Sequence, residues 1–138
     1  FLIASALNAV LGQRIARRLC PTCKEEYVPD EAVLADMKQV VGSLWPSEKP
    51  MVLYKGKGIV NGVACETCGG SGYVGRLGVF ELYPITDAIS ELTLTRAPMS
   101  EIEKQAISEG MITMKQDGYL KALEAVTTIE EVLRVAQD

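Results

Sequence analysis

The chain has 138 residues, enough for one ordinary domain or two small ones, and its 48% apolar content is typical of globular proteins. Its net charge of −4 and its pI near 4.9 argue against a protein whose main task is to coat phosphates. No apolar run approaches the roughly 18 residues that a membrane-spanning helix requires.

The first stretch, residues 1–11, is apolar on nearly all sides. It predicts a short, largely buried helix, with Gly12 at the position that follows its C-terminal end. Because the sequence starts inside this stretch and without an initiator methionine, we expect a fragment of a longer protein. Residues 13–19 (QRIARRL) predict a strand or connector with solvated charges, and a binding patch is the alternative.

Four cysteines form two C-x-x-C pairs, Cys20 with Cys23 and Cys65 with Cys68, and the sequence contains no histidine. Each C-x-x-C turn presents two thiolates along one edge of a tetrahedron, so two turns supply the four ligands of a structural Zn²⁺. A tetrathiolate iron site has the same spacing, and two disulfides are a further alternative, although tight C-x-x-C turns suit them poorly. Four thiolates leave no position for water, so the metal is predicted to be structural.

The 41 residues between the two pairs predict an inserted element. Asp30 is a suitable N-cap for a helix over residues 31–44, whose apolar residues recur at helical spacing and which Pro46 ends. Residues 51–54 predict a short strand. Residues 55–58 (KGKG) predict a glycine turn rather than a phosphate loop, because no G-x-x-x-x-G-K-[ST] motif is present.

After the second pair, residues 73–83 (YVGRLGVFELY) predict a β-hairpin with its turn at residues 75–78. The last third predicts helices: Thr86 caps a short one that ends before Pro98, and three capping boxes follow. The boxes pair Ser100 with Glu103, Thr113 with Gln116 and Thr128 with Glu131, and Gly110 closes the first of the three helices. The prediction is an α+β fold: a small tetracysteine zinc subdomain with short β-hairpins and an inserted helix, then a small C-terminal helical bundle.

Three blocks of sequence, in order, resemble the C-terminal region of the type II secretion and type IV pilus assembly ATPases, the family of general secretion pathway protein E. The blocks are QRIARRLCPTCKEEY, the second C-x-x-C pair with GSGYVGRLGVFEL, and EGMITMKQDGYLKALEAVTTIEEVLRV. The resemblance covers residues 2–135 and carries over only the four cysteines, as metal ligands. It implies that residues 1–19 are the tail of a truncated RecA-like ATPase domain, 20–83 a metal-binding subdomain and 84–138 a C-terminal helical subdomain.

The resemblance further implies a parent that is a homohexameric ATPase, cytoplasmic and peripheral at the bacterial inner membrane. The parent would couple ATP hydrolysis to pseudopilin or pilin assembly and protein export. Its partners would be neighbouring subunits and the inner-membrane platform and docking proteins. ATP and Mg²⁺ would bind only in the parent, because the Walker A, Walker B and histidine-box motifs would lie upstream. The fragment is expected to be inactive alone.

Two other function classes stay open on the sequence. Four basic residues beside the first cysteine pair are compatible with a zinc-ribbon nucleic-acid-binding module, although no wider basic face or interleaved aromatic residues support it. A rubredoxin-like tetracysteine iron protein would be an electron carrier. The four basic residues are Arg14, Arg17, Arg18 and Lys24.

One of these arginines could also offset the negative charge of the cysteine thiolates around a metal ion. The sequence leaves the roles of the three arginines undecided.

Overall fold

The computed structural model describes residues 6–47 and 52–136, which form two compact units. The first unit comprises Phe1–Gln13 and Phe80–Met114, and the second comprises Arg14–Val79 and Lys115–Asp138. Strands pair in twos alongside helices, which confirms the α+β class. None of the described helices is long and apolar enough to cross a membrane.

The strands of the described residues are short, except for the first and the last. They are β1 (Ala9–Leu19), β2 (Lys24–Tyr27), β3 (Leu53–Gly56), β4 (Ile59–Val60), β5 (Val63–Ala64) and β6 (Tyr73–Pro84). The helices are α1 (Glu31–Val41), α2 (Asp87–Leu94), α3 (Met99–Ser108), α4 (Met114–Leu123) and α5 (Ile129–Val135), with a 3₁₀ turn at Gly42–Leu44. The pairs are β1 with β6, β2 with β3 and β4 with β5.

The prediction of an N-terminal helix is wrong for its last residues. Residues 9–11 belong to β1, and Gly12 lies within that strand rather than beyond a helix end; residues 1–5 lie outside the described residues. A run that is apolar on all sides does not distinguish a helix from a strand by its periodicity. The twelve-residue strand β6 decides the outcome, because it supplies β1 with a backbone partner. The strand predicted over residues 13–19 is confirmed.

The predicted hairpin over residues 73–83 is also wrong, because this stretch is the single strand β6. Its backbone partner is β1 rather than a folded-back half of itself. Gly75 has a φ of +71°, a conformation that favours glycine, but no turn follows. The hairpin nearby is β4–β5, where Asn61 and Gly62 have φ values of +52° and +81°. Two successive positive φ values are typical of a type I′ turn, and an Asn-Gly dipeptide is its strongest sequence signal.

Between the cysteine pairs, the described residues form the antiparallel pair β2–β3, helix α1 with its 3₁₀ turn, and the hairpin β4–β5. The predicted helix over residues 31–44 is confirmed as α1 plus the 3₁₀ turn, although the Asp30 side chain makes no capping hydrogen bond. The predicted strand begins later, at Leu53, and continues to Gly56, so only Lys57 and Gly58 remain of the predicted turn. Residue 51 lies outside the described residues.

The core of the second unit joins α1 and β3 to the two C-terminal helices. Tyr119 and Val132 are almost completely buried, and an apolar cluster of this unit is built around them. Its buried members are Met37, Val41, Leu53, Tyr119, Ala122, Ile129 and Val132. Burying a large apolar side chain stabilises a fold by about 1.5–3 kcal/mol. Helices α4 and α5 therefore belong to the core of the unit that contains the cysteines.

The first unit packs α2 against α3 around Ile89, Ala106 and Met111. The predicted cap of α2 is confirmed: the Thr86 hydroxyl accepts the Ile89 N–H at 3.3 Å. Gly110, with a φ of +100°, follows the end of α3 as predicted.

The capping box of Ser100 with Glu103 is wrong, because the N-cap of α3 is Pro98, two residues earlier, and the helix begins at Met99. Ser100 therefore lies inside the first turn, where its hydroxyl cannot occupy the capping position. The backbone of Pro98 is not helical, because its ψ is 146°. This places the helix start next to the proline rather than at the serine.

Candidate metal centre

The structure brings all four predicted ligands together. The cysteine Sγ atoms lie within 4.8 Å of one another, with Cys20 at 3.9 Å from Cys65 and Cys23 at 3.7 Å from Cys68. A tetrahedron with metal–sulfur bonds of about 2.3 Å has sulfur–sulfur edges of about 3.8 Å. Disulfide sulfurs would stand about 2.05 Å apart, and all four cysteines are free. The spacing therefore fits a tetrathiolate metal site and not a pair of disulfides.

Each C-x-x-C pair forms a compact knuckle, and we call Cys20–Cys23 the first knuckle and Cys65–Cys68 the second. Three of the four cysteines are buried and Cys68 is half-buried. At the rim, the hydroxyls of Thr22 and Thr67, which occupy the same position in the two knuckles, hydrogen-bond at 3.0 Å. The two knuckles therefore face each other with matching positions in contact.

Two glycines connect the knuckles through hydrogen bonds. The Gly58 N–H donates to Cys23 Sγ at 3.3 Å, and its carbonyl accepts the Cys65 N–H at 2.8 Å. The Gly72 N–H donates to Cys68 Sγ at 3.2 Å, and its carbonyl accepts the Cys20 N–H at 2.9 Å. Each glycine thus contacts one thiol of one knuckle and the backbone of the other. Backbone N–H donors to sulfur stabilise thiolates in metal sites.

The glycine-rich segments around the site approach each other closely. A Cβ on Gly56 would lie 2.2 Å from the Gly72 carbonyl oxygen, and one on Gly58 would lie 2.3 Å from the Gly70 carbonyl oxygen. These distances are far below van der Waals contact. The KGKG stretch, predicted from sequence as a plain turn, is therefore part of the wall of the site. Both glycines of this stretch are needed for the close approach, and Gly58 also has a positive φ of +70°.

The thiols differ in their local electrostatics. Burial raises the pKa of Cys23 to about 12. At Cys68, burial also disfavours the thiolate, but the N–H group of Gly72 and the neighbouring thiols outweigh it and lower the pKa to about 6. The pKa of Cys20 is lowered as well: burial acts against ionisation there, and the backbone N–H groups of its own knuckle overcome it. Shifts of the pKa in opposite directions are expected of adjacent thiols. One thiolate disfavours the ionisation of the next thiol until a cation compensates their charge.

The donor set fits a soft or borderline cation with tetrahedral preference. Four thiolates would surround the ion completely, so it would have no open position for water or substrate. Among the described residues, the cysteines are the one group of cysteine, aspartate or glutamate side chains close enough to hold a metal. The arrangement can join two segments of chain and offers no hydrolytic chemistry.

The arginines before the first knuckle do not share one role. The guanidinium of Arg17 binds the carboxylate of Glu131 and stacks 4.1 Å from the Tyr73 ring centre. Arg14 and Arg18 are exposed. The Arg17 side chain is more than half exposed, as a solvated charge would be, but it is also paired with a carboxylate 114 residues away in sequence.

The sequence indicated Glu131 only as the second residue of a capping box. This glutamate is 1% exposed and accepts hydrogen bonds from Arg17 and from Arg134. The predicted capping box is half confirmed, since the Thr128 hydroxyl accepts the Glu131 N–H at 3.3 Å. The carboxylate of the box, however, binds the arginines. A glutamate followed three residues later by an arginine was the available signal for one of these ion pairs.

The family model described as "Type II/IV secretion system protein" matches residues 1–134. The chain is 39% identical over 133 residues to a type IV pilus assembly ATPase PilB of Thermus thermophilus, covering 96% of this chain and 14% of that protein. It is 36% identical over 140 residues to a type II secretion system ATPase E of Vibrio cholerae, covering 100% and 25%. It is 37% identical over 138 residues to a type II secretion system protein E of Pseudomonas aeruginosa, covering 100% and 25%.

The chain thus spans between about a seventh and a quarter of the length of these relatives. The matches extend over nearly the whole chain and include type II secretion and type IV pilus proteins alike. The resemblance found in the sequence blocks is thereby confirmed, and the chain belongs to the type II/IV secretion system protein family.

Proposed function

We propose that this chain is the non-catalytic C-terminal part of a homohexameric ATPase that couples ATP hydrolysis to pseudopilin or pilin assembly and protein export, with a structural Zn²⁺ on its cysteines. The observation that carries the proposal is the cluster of four Sγ atoms, all within 4.8 Å of one another, in a chain of this family. The relatives carry the names of secretion and pilus assembly ATPases. In this proposal, ATP and Mg²⁺ bind upstream in the parent, so the chain alone is inactive.

The proposal assigns residues 1–19 to the end of a RecA-like domain, 20–83 to the metal-binding subdomain and 84–138 to the C-terminal helical subdomain. Cys20, Cys23, Cys65 and Cys68 are the metal ligands. The partners are neighbouring subunits of the hexamer and the platform and docking proteins of the machine. The parent would act in the cytoplasm, at the inner face of the bacterial inner membrane.

The role proposed for Zn²⁺ follows from what the knuckles join. The first knuckle follows directly after β1, and the second lies just before β6, the strand with which β1 pairs. Four metal–sulfur bonds at this place would tie both strands and the inserted α1 and β2–β3 elements into one body. Since structural zinc binding contributes folding free energy, loss of the ion is expected to loosen the second unit.

Elemental analysis of the full-length protein, with a thiol count under denaturing conditions, tests the metal. One Zn²⁺ per chain and thiols that become reactive after chelation are expected. Iron in the site, with a red colour and reversible reduction, would favour the electron carrier instead. Steeply salt-dependent binding to DNA or RNA would favour the nucleic-acid-binding module.

Substitution in the full-length protein tests the link to function. Cys20→Ser and Cys65→Ser should each abolish stoichiometric zinc and impair pilus assembly or protein export. Thr22→Val is the matched control, because it changes an exposed knuckle residue that is not a ligand. Normal assembly or export by both cysteine variants, with their zinc lost, would contradict the proposed structural role.

A further inference from the structure

The two knuckles are not independent half-sites, because the same two glycines serve both. Gly58 binds the Cys23 sulfur through its N–H and the Cys65 backbone through its carbonyl. Gly72 repeats the arrangement with the knuckles exchanged, through Cys68 Sγ and the Cys20 backbone. We propose that Gly58 and Gly72 are positioning residues that couple the two knuckles, so that the hold of either knuckle on the metal depends on both glycines. This inference rests on the proposed Zn²⁺ site.

The coupling follows from hydrogen bonds on both sides of each glycine. A backbone shift that lengthens the N–H to sulfur bond of Gly72 also moves its carbonyl away from Cys20. The sulfur of one knuckle and the backbone of the other are thus displaced together. The residues before the glycines add a contact each: the Lys57 N–H donates to the Cys23 carbonyl at 2.9 Å, and the Ser71 N–H donates to the Cys68 carbonyl at 3.2 Å.

Sterics explain why these positions carry glycine. A Cβ on Gly58 would lie 2.3 Å from the Gly70 carbonyl oxygen, and one on Gly72 would lie 2.8 Å from the Gly56 carbonyl oxygen. Both obstacles are backbone atoms, which cannot swing aside as a flexible side chain would. Any other residue would therefore push the two glycine segments apart and lengthen the bonds to the sulfurs.

The second knuckle is followed by a residue that offers a matched control. Gly69 has a φ of +60°, close to the +70° of Gly58, but a Cβ on Gly69 would meet no atom within 4 Å. Gly69→Ala therefore carries the same left-handed backbone strain without the collision. If Gly58→Ala and Gly72→Ala lose Zn²⁺ faster than Gly69→Ala, the cause is the disturbed close approach and its hydrogen bonds rather than the loss of a glycine.

The test compares the rate at which the full-length protein and each variant lose Zn²⁺ to an excess of chelator. Gly58→Ala and Gly72→Ala should lose it at least about tenfold faster than Gly69→Ala, since partners of metal ligands typically contribute about 10–100-fold to affinity. Co²⁺ in the same site gives a second readout. Loss of an N–H donor to sulfur raises the energy of the sulfur electrons, so the sulfur-to-cobalt charge-transfer band should move to lower energy in these two variants only.

The unsubstituted protein supplies a measurement that does not depend on the folding of a variant. On chelation, hydrogen exchange should rise together in peptides that contain Gly58 and in peptides that contain Gly72. A rise in one alone, or rates of zinc loss within about twofold of Gly69→Ala, would overturn the coupling while leaving the zinc site intact. Absence of metal from the unsubstituted protein would overturn the zinc site and the coupling with it.

Discussion

The guanidinium of Arg17 and the carboxylate of Glu131 form a paired contact, with Nη2 and Nε at 2.7 and 3.0 Å from the same oxygen, Oε1. The backbone N–H of Arg17 donates to the other oxygen, Oε2, at 2.8 Å. Strand β1 is thereby bound to helix α5 through both its backbone and a side chain. Arg134 supplies a second guanidinium from the helix itself. One buried carboxylate thus fixes the helix near the C-terminus to the strand that leads into the first knuckle.

Replacing this carboxylate with an amide, Glu131→Gln, should destabilise the second unit by about 2 kcal/mol near neutral pH. Hydrogen bonds from Arg134 and then Arg17 lower the pKa of Glu131 to about 2, against the opposing effect of burial. The loss of stability expected from that pKa is reduced by solvent screening, because the side chains of both arginines are more than half exposed. Urea unfolding, followed by the fluorescence of Trp45, would measure the change.

The stability that Glu131 contributes should decrease at low pH. Because the pKa of Glu131 is lower in the folded than in the unfolded protein, its contribution is complete above about 4.5 and is lost as the pH falls toward 2. The stability difference between the unsubstituted protein and Glu131→Gln should therefore shrink over this window. The neighbouring and exposed Glu130→Gln is the control. If the stability difference between the unsubstituted protein and Glu131→Gln stayed constant down to a pH of about 2, the ion pair would not be its source.

The cysteine ligands could be predicted because a metal site depends on residue type and local spacing, both of which are visible in the sequence. The contributions of Gly58 and Gly72 could not, since their roles depend on two loops that meet only in the folded chain. The same holds for Glu131. Its partner Arg17 lies 114 residues away, and no local pattern encodes that distance. Its other partner, Arg134, lies on the same helix and is a contact of the kind that sequence can suggest.

Helices were predicted better than strands for a related reason. The helix over α1 and the cap at Thr86 rest on local signals, spacing and a side-chain hydroxyl, and both appear in the structure. Strands β1 and β6 each need the other as a backbone partner, and more than 50 residues of chain separate them. Without the partner, the first resembles a buried helix and the second resembles a hairpin. The β4–β5 hairpin was not predicted, although its Asn61-Gly62 turn is a local signal.

Removing the hydroxyl of Tyr119 should cost about 1 kcal/mol of folding free energy. The ring is almost completely buried, and its hydroxyl donates to the carboxylate of Asp36 on α1. That carboxylate is half exposed and also lies 3.6 Å from Lys115, so Tyr119→Phe leaves it hydrated rather than stranded. Combined with Asp36→Asn in a double-mutant cycle, Tyr119→Phe should show a coupling of similar size. Additive effects would mean that the hydroxyl contributes nothing through Asp36.

Tyr119 also gives a prediction for alkaline pH. Burial, followed by the neighbouring Asp36 carboxylate, raises the pKa of the Tyr119 hydroxyl above its usual value of about 10. The folded state therefore retains this proton more tightly than the unfolded state. The stabilisation is complete below about 10 and is lost as the pH rises beyond it. The free energy of unfolding of Tyr119→Phe should depend less on pH in that range, as chemical denaturation at a series of pH values would measure.

Metal affinity should fall as the pH falls. All four thiols must ionise to bind the ion, and the pKa of Cys23, raised to about 12 by burial, makes protons strong competitors at that position. Chelator competition at a series of pH values should therefore show tighter binding at higher pH, with protons released on binding. Ser71→Ala, which removes a hydroxyl near the second knuckle that is no ligand, should keep the same pH slope. A flat profile would contradict thiolate ligation.

The contact between helices α4 and α5 leads to the last prediction, which concerns Gly118. A Cβ there would lie 2.4 Å from Cγ1 and 3.2 Å from Cγ2 of Val132, whose side chain is fully buried. Alanine in a helix interior is normally more stable than glycine by about 1 kcal/mol. Here the collision with a β-branched side chain should reverse the sign, because overpacking a core typically costs about 1–3 kcal/mol.

Gly118→Ala should therefore lower the free energy of unfolding, although it improves helix propensity. Val132→Ala alone should also be destabilising, because it removes two buried methyl groups. Together the two changes should cost less than their sum, since the new Cβ occupies the space that the valine methyl groups leave. Urea unfolding of both single variants and the double variant gives the coupling directly. Strict additivity would show that α4 and α5 do not meet at this glycine. That result would also contradict the packing that holds α5, and with it Glu131, in place.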